Sequence, residues 1–144
     1  MAIKQISVFL ENKPGTLQEL CKVLGDNNIN MRALSLAETK DFGIARIIVD
    51  SLIDAGDVLT QSGFIFKMTP VVAAHVPDDA GGLHTLLEIF AQHNINLEYM
   101  YAFLDGNDDK ATMIFRIRED EQAAEEALRK AGIELLSQDD IAHI

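Results

Sequence analysis

Gly15 follows Lys13-Pro14 and stands just before Leu17, Leu20, Cys21 and Leu24, apolar residues at helical spacing. A glycine where a helix begins lets backbone N–H groups come close to a ligand. Those N–H groups lack intrahelical partners, and the helix dipole beside them favours a carboxylate. The arrangement returns at Gly81, ahead of Leu83, Leu86, Leu87 and Phe90. Anion binding at a helix start is therefore the chemistry this sequence offers twice.

Other residue types that could do chemistry fit other roles. Cys21 lies on the apolar helix face with Leu17 and Leu24 and reads as a small core residue; as the single cysteine it makes no internal disulfide. His75, His84, His93 and His143 are scattered, and no carboxylate–histidine pairing at metal-ligand spacing accompanies them, so no metal is expected. Asp105, Asn107 and Asp109 imitate the opening of a calcium loop, but Lys110 replaces its glycine and Arg116 its bidentate glutamate. Asp41-Phe42-Gly43 spells a kinase triplet without a phosphate loop or catalytic loop, and reads as a turn. There is no serine elbow, no cysteine–histidine pair with a positioned base and no glycine-rich dinucleotide loop. Neither catalysis nor a cofactor is expected.

The two glycine-led turns belong to a longer repeat. A shift of 66 residues carries Gly15, Leu17, Leu20, Val23 and Leu24 onto Gly81, Leu83, Leu86, Ile89 and Phe90. It carries Asn28-Ile29-Asn30 onto Asn94-Ile95-Asn96, and Ile6, Val8 and Leu10 onto Val72, Ala74 and Val76. Each copy opens with alternating apolar residues, as in Gln5 to Leu10, which predicts a strand. The helix follows, ending near Gly25 and Asn27-Asn28, residues that tolerate a left-handed backbone. Second strands are predicted over Ile29–Glu38 and Ile95–Leu104, and third strands over Phe42–Asp50 and Ala111–Arg118. Hairpin turns are predicted at Asp41-Phe42-Gly43 and Asp105-Gly106-Asn107. Second helices follow over Leu52–Ser62, weakened by Gly56, and Glu119–Ala131, where acids lead, Arg129-Lys130 close and Gly132 lies just beyond. Fourth strands are predicted over Phe64–Met68 and Ile133–Leu136. The order β-α-β-β-α-β, twice, is α+β: two ferredoxin-like units, each an antiparallel four-stranded sheet with helices on one face. Pro70 marks the expected join, giving domains 1–69 and 70–144 with hardly any linker.

The stretch from Val8 to Asp50 resembles an ACT domain, through Glu11-Asn12-Lys13-Pro14-Gly15-Thr16-Leu17 and then Ile29-Asn30. His75 to Phe103 resembles a second, and together the likeness spans nearly the whole chain. The chain is most similar to small proteins built only of two ACT domains. That resemblance implies binding of an amino acid or similar metabolite between paired ACT units, within a chain or across a homodimer, and the modulation of a separate enzyme of amino-acid metabolism or of a regulator. In serine-sensing members, one asparagine just before the Pro-Gly turn and one beginning the second strand hold the ligand; by motif they match Asn12 and Asn30. The first implied site thus comprises Asn12, Lys13, Pro14, Gly15, Thr16, Leu17 and Asn30. The second comprises Asp78, Gly81, Gly82 and Asn96, and departs from the pattern: Ala80 replaces the proline and Asp78 the asparagine. A carboxylate at Asp78 opposes a ligand carboxylate, which favours the first site. An asparagine side chain carries a donor and an acceptor, as an amino acid's carboxylate and ammonium require. Asn12 also fits a plain turn-initiating role, and Asn28 and Asn94 fit structural roles at helix ends. Arg32, two residues beyond Asn30 on the same strand face, is expected to pair with an acid rather than to meet the ligand.

The net charge is −11, concentrated after Thr69. So acidic a surface repels nucleic acid and anionic lipid. No apolar run approaches the roughly 20 residues of a membrane helix, and Met1 to Leu10 carries no signal-peptide pattern, so a cytoplasmic location is expected. Two units of about 70 residues would each be marginal alone. Their edge strands need covering, so a homodimer is expected. The rival expectation is a scaffolding subunit with a decayed ligand site that binds only a protein partner.

Overall fold

The computed structural model describes residues 3–38, 41–77, 79–103, 110–118 and 120–143. The chain divides into two compact units, essentially Lys4–Thr69 and Pro70–Ala142.

The first unit runs β1 (Ile3–Glu11), α1 (Thr16–Asp26), β2 (Met31–Glu38), β3 (Phe42–Val49), α2 (Leu52–Gln61) and the start of β4 (Ile65–Pro77). Its strands lie in the order β2-β3-β1-β4. The period-two pattern fixes the register: Ile6 faces Ile47, which faces Leu34 on the other side, and Val8 faces Ala45. Residues so aligned share a sheet face, and on this one Ile6, Val8, Leu10, Ala45, Ile47 and Val49 meet Leu20 and Leu24 of α1 and Ala55 and Leu59 of α2. Each fully buried Leu or Ile contributes about 1.5–3 kcal/mol. The opposite face of β1 is not solvated along its whole length, as simple alternation would have it: Phe9 is exposed, but the start of the strand is covered. Gln5 and Ser7 are buried there, with Gln5 Nε2 donating to Ser7 Oγ at 2.9 Å and Ser7 Oγ 3.2 Å from Thr69 Oγ1. The buried polar groups are hydrogen-bonded, as burial demands.

The second unit continues with β4, α3 (Gly82–Gln92), β5 (Leu97–Ala102), β6 (Lys110–Ile117), α4 (Glu121–Lys130) and α5 (Gln138–Ala142). The register repeats: Val72 faces Phe115, which faces Met100. Phe90 and Phe115 meet edge to face with ring centroids 5.4 Å apart in a core with Val72, Ala74, Leu86, Ala124 and Leu128. The backbone repeats too. Gly15 and Gly81 take φ of 92° and 89°, and Asn28 and Asn94 take φ of 58° and 55°. The repeated Asn-Ile-Asn thereby has a local cause. Its first asparagine turns left-handed to end the helix, and the isoleucine N–H after it returns to Leu24 O (2.9 Å) or Phe90 O (2.8 Å).

Several sequence expectations give way. Phe42 and Gly43 are not a turn but the first residues of β3, facing Glu11 and Leu10. The fourth strand expected over Ile133–Leu136 shrinks to one bridge, Ala74 to Leu135, held by His75 N–H to Glu134 O and Leu136 N–H to Ala73 O, both 2.9 Å. A short helix, α5, follows where none was expected. Pro70, the expected join, lies inside β4 where the second compact unit begins; it has no N–H to donate, and its carbonyl accepts from Arg116 Nη1 at 3.0 Å. The hairpin expected at Asp105-Gly106-Asn107 and the calcium-loop imitation from Asp105 to Asp109 lie outside the described residues.

The strong helix of the second unit starts on Asp120, whose carboxylate accepts from Ala123 N–H at 3.1 Å. Asp120→Ala removes this cap and is expected to cost about 1 kcal/mol. A thermal melt should drop by a few degrees; an unchanged melting temperature would mean that the cap contributes nothing.

Candidate ligand site at the first glycine-led turn

The first turn is built by its own backbone. Asn12 N–H donates to Asp41 O at 3.1 Å and Lys13 N–H to Glu11 O at 2.9 Å. Thr16 Oγ1 lies 2.9 Å from Glu11 O and 3.1 Å from Lys13 O, tying the helix start to the end of β1. The left-handed backbone at Gly15 turns the chain into α1. The first intrahelical bond runs from Glu19 N–H to Gly15 O at 3.0 Å, and the N-cap residue, Gly15, has no side chain with which to cap the N–H groups ahead of it. Lys13 Nζ and Glu11 Oε2 pair at 3.1 Å on the exposed side. Screening by water keeps such a pair weak and exchangeable.

A cleft of about 330 Å³ opens beside this turn within the first unit. Phe9, Leu10 and Glu11 come from β1, Lys13 from the turn, Thr16 and Glu19 from the first turn of α1, Phe42 from β3, Gly63 and Phe64 from the α2–β4 connection, and Ile65 from the start of β4. Of the residues implied for the first site, Lys13 and Thr16 line this cleft; Asn12, Pro14, Gly15 and Leu17 belong to the same turn and helix start but not to its lining. Asn30 is not with them. It begins β2 beyond the far end of α1, about 16 Å away at 1.5 Å per residue over the helix's 11 residues. Its N–H donates to Asp50 Oδ1 at 3.0 Å and its carbonyl accepts from Asp50 N–H at 3.1 Å.

The second turn repeats the backbone but is tighter. Gly81 precedes α3, and Thr85 N–H and Oγ1 both reach Gly81 O at 3.1 Å. Gly82 packs directly under the Pro77 carbonyl, so that a Cβ there would overlap its oxygen. Asp78 lies outside the described residues, and Asn96, like Asn30, stands past the far end of its helix, its carbonyl accepting from Arg118 N–H at 3.2 Å.

Two expectations about charged residues change. A bulge between Met31 and Ala33 breaks the alternation at Arg32, and the Arg32 Nε is buried without a hydrogen-bond partner among the described residues. His84 does have a carboxylate at helical spacing: its Nε2 lies 3.4 Å from Glu88 Oε2, on an exposed face. Among the described residues no three His, Cys, Asp or Glu side chains gather as a metal site. Cys21 is half-buried with a free thiol.

Sequence reasoning missed the aromatic part of the cleft. One signal was available: Phe9 sits out of phase with Ile6, Val8 and Leu10, a large apolar side chain on the face where alternation calls for a polar one.

Two consecutive ferredoxin-like units, each leading its first helix with a left-handed glycine, define a tandem ACT architecture. The chain belongs to the family described as ACT domain pair, whose model matches residues 1–144. The chain is 35% identical to a protein of Bacteroides thetaiotaomicron of solved structure, with a TM-score of 0.92 over 100% of this chain and 98% of that one. It shares its fold with the ligand-free regulatory subunit of aspartate kinase from Thermus thermophilus, at 15% identity and a TM-score of 0.64, covering 90% of this chain and 89% of that one. The corresponding subunit from Thermus flavus aligns at 14% identity and a TM-score of 0.61, covering 90% and 92%. No curated protein matches the sequence.

Proposed function

We propose that the chain is a regulatory protein without catalysis of its own, that it senses an amino acid at the first glycine-led turn, and that it modulates a separate enzyme or regulator. The observation that carries this reading is the cleft beside a helix start led by a glycine, which offers its first N–H groups no side chain of its own. A ligand carboxylate satisfies those groups, and the helix dipole stabilises it there by about 0.3–1 kcal/mol. Membership of the ACT domain pair family supports the same role, and the fold is shared with the regulatory subunits of Thermus aspartate kinases.

The geometry of α1 adds a requirement. Asn12 and Asn30 flank opposite ends of one helix and cannot both touch a single amino acid from the same unit. In a homodimer a partner chain supplies its own Asn30 across from Asn12, and the ligand lies at an interface between ACT units. Ligand binding then favours one arrangement of the dimer, and only a difference in affinity between arrangements passes a signal on. No helix among the described residues is long and apolar enough to cross a membrane.

Titration calorimetry of the protein against the twenty amino acids tests this. Binding of at least one is expected, weakened about tenfold or more in an Asn12→Ala, Asn30→Ala double variant that stays folded. A signal that ignores the double variant removes the site, and silence across the panel favours the scaffolding role instead.

A further inference from the structure

The cleft also bears on which amino acid it takes; this inference rests on the sensing role proposed above. Phe9, Phe42, Phe64 and Ile65 form one wall, and three of them remain far more open than large apolar side chains usually are: Phe9 39%, Phe42 60% and Ile65 72% exposed. Phe9 and Ile65 point away from the helix-covered core: Phe9 alternates with core residues Val8 and Leu10, and Ile65 with Phe64 and Phe66, which pack on that core. Neither is needed to fill the core, and both leave apolar surface in water at about 25 cal/mol for each Å². The opposite rim carries charge of both signs, with Lys13 before the helix and Glu19 in its first turn. A volume of about 330 Å³ is at the small end of the range for small-molecule sites.

We infer that the cleft selects amino acids with large apolar side chains, aliphatic or aromatic. The zwitterionic end lies along the rim, its carboxylate toward Lys13 and its ammonium toward Glu19. The side chain lies against Phe9, Phe42 and Ile65. Lys13 reaches the carboxylate by exchanging its exposed pairing with Glu11, a small cost in water. A serine-like or acidic side chain finds no polar partner on this wall, and would give up its hydration without compensation.

The test is calorimetry with leucine, isoleucine, methionine and phenylalanine against serine, aspartate and lysine, on the wild-type protein and on Phe42→Ser and Phe42→Leu. Phe42 is so exposed that neither change should unfold the chain, which circular dichroism verifies. The apolar ligands are expected to bind, to lose about tenfold or more in Phe42→Ser, and to keep most of their affinity in Phe42→Leu. If serine or aspartate binds best and Phe42→Ser leaves it untouched, the apolar selectivity is wrong while the sensing role stands. If none of the seven binds, the apolar selectivity is wrong, and the sensing role is decided by the full panel of twenty. If instead light scattering shows that Phe42→Ser turns a dimer into a monomer, and no apolar amino acid binds either form, the wall is a subunit contact and the inference is overturned.

Discussion

Phe115→Ala should remove about 3–5 kcal/mol of stability, a large share of the roughly 5–15 kcal/mol that holds a typical domain together. Phe115 is fully buried on β6, between Val72 of β4 and Met100 of β5, and its ring meets Phe90 at 87°. Truncation leaves a cavity that two neighbouring strands and a helix cannot close by small shifts, because the ladder on each side fixes their spacing. The measurement is guanidinium unfolding, in which the midpoint falls with little change in slope. A cycle with Phe90→Ala separates the ring–ring part: the edge-to-face geometry predicts coupling of about 0.5–1.5 kcal/mol beyond area burial. A midpoint that scarcely moves in Phe115→Ala would show that this ring does not fill the second core.

The same pair shows why so much of the fold was legible. Phe90 and Phe115 occupy the places that Leu24 and Ile47 hold in the first unit, and each third-strand residue faces the equivalents of the other's neighbours, Ile6 and Leu34 in one unit and Val72 and Met100 in the other. Period-two and helical patterns survive changes of residue size, so both units could be read from either copy. What failed to read across lies where tertiary contacts outrank local preference. Ile133–Leu136 has a strand's composition, yet only Leu135 pairs, since the segment must also lead into α5. Phe42-Gly43 reads both as part of a hairpin turn and as the start of the third strand, and pairing with Glu11 and Leu10 assigns it to β3. The alternation breaks at Arg32 because a bulge shifts register by one residue, which no period in the sequence announces.

The site was legible by halves. The glycine-led turn is a local structure, and Lys13-Pro14-Gly15 specifies it within a few residues. The aromatic wall is not local: Phe9, Phe42 and Ile65 come together only through the strand order β3-β1-β4. Motif matching joined Asn12 to Asn30, but the apolar stripe between them already marked a helix of about three turns, some 16 Å long. That length alone separates the two asparagines within a unit and makes a second chain part of any site that uses both.

Gly82→Ala is the second change with a large expected effect, and it separates the two copies. At the equivalent place in the first unit stands Thr16, which carries a Cβ comfortably and aims its hydroxyl at the Glu11 and Lys13 carbonyls. In the second unit the end of β4 closes over the helix start, so that a Cβ on residue 82 would overlap the Pro77 carbonyl oxygen and crowd Asp79 Oδ1. A backbone carbonyl cannot swing aside as a flexible side chain does. Either Pro77 pulls away from its pairing with Lys110 or α3 tilts off the core where Leu86 and Phe90 are buried. The usual gain of alanine over glycine in a helix, at most about 1 kcal/mol, is outweighed by overpacking of about 1–3 kcal/mol or more. Gly82→Ala should therefore lower the melting temperature by several degrees, while Thr16→Ala, which loses only exposed hydroxyl bonds, should change it by much less. Equal effects at the two positions would mean that the second turn is as open as the first, and would restore Gly81 and Gly82 as equal candidates for a ligand.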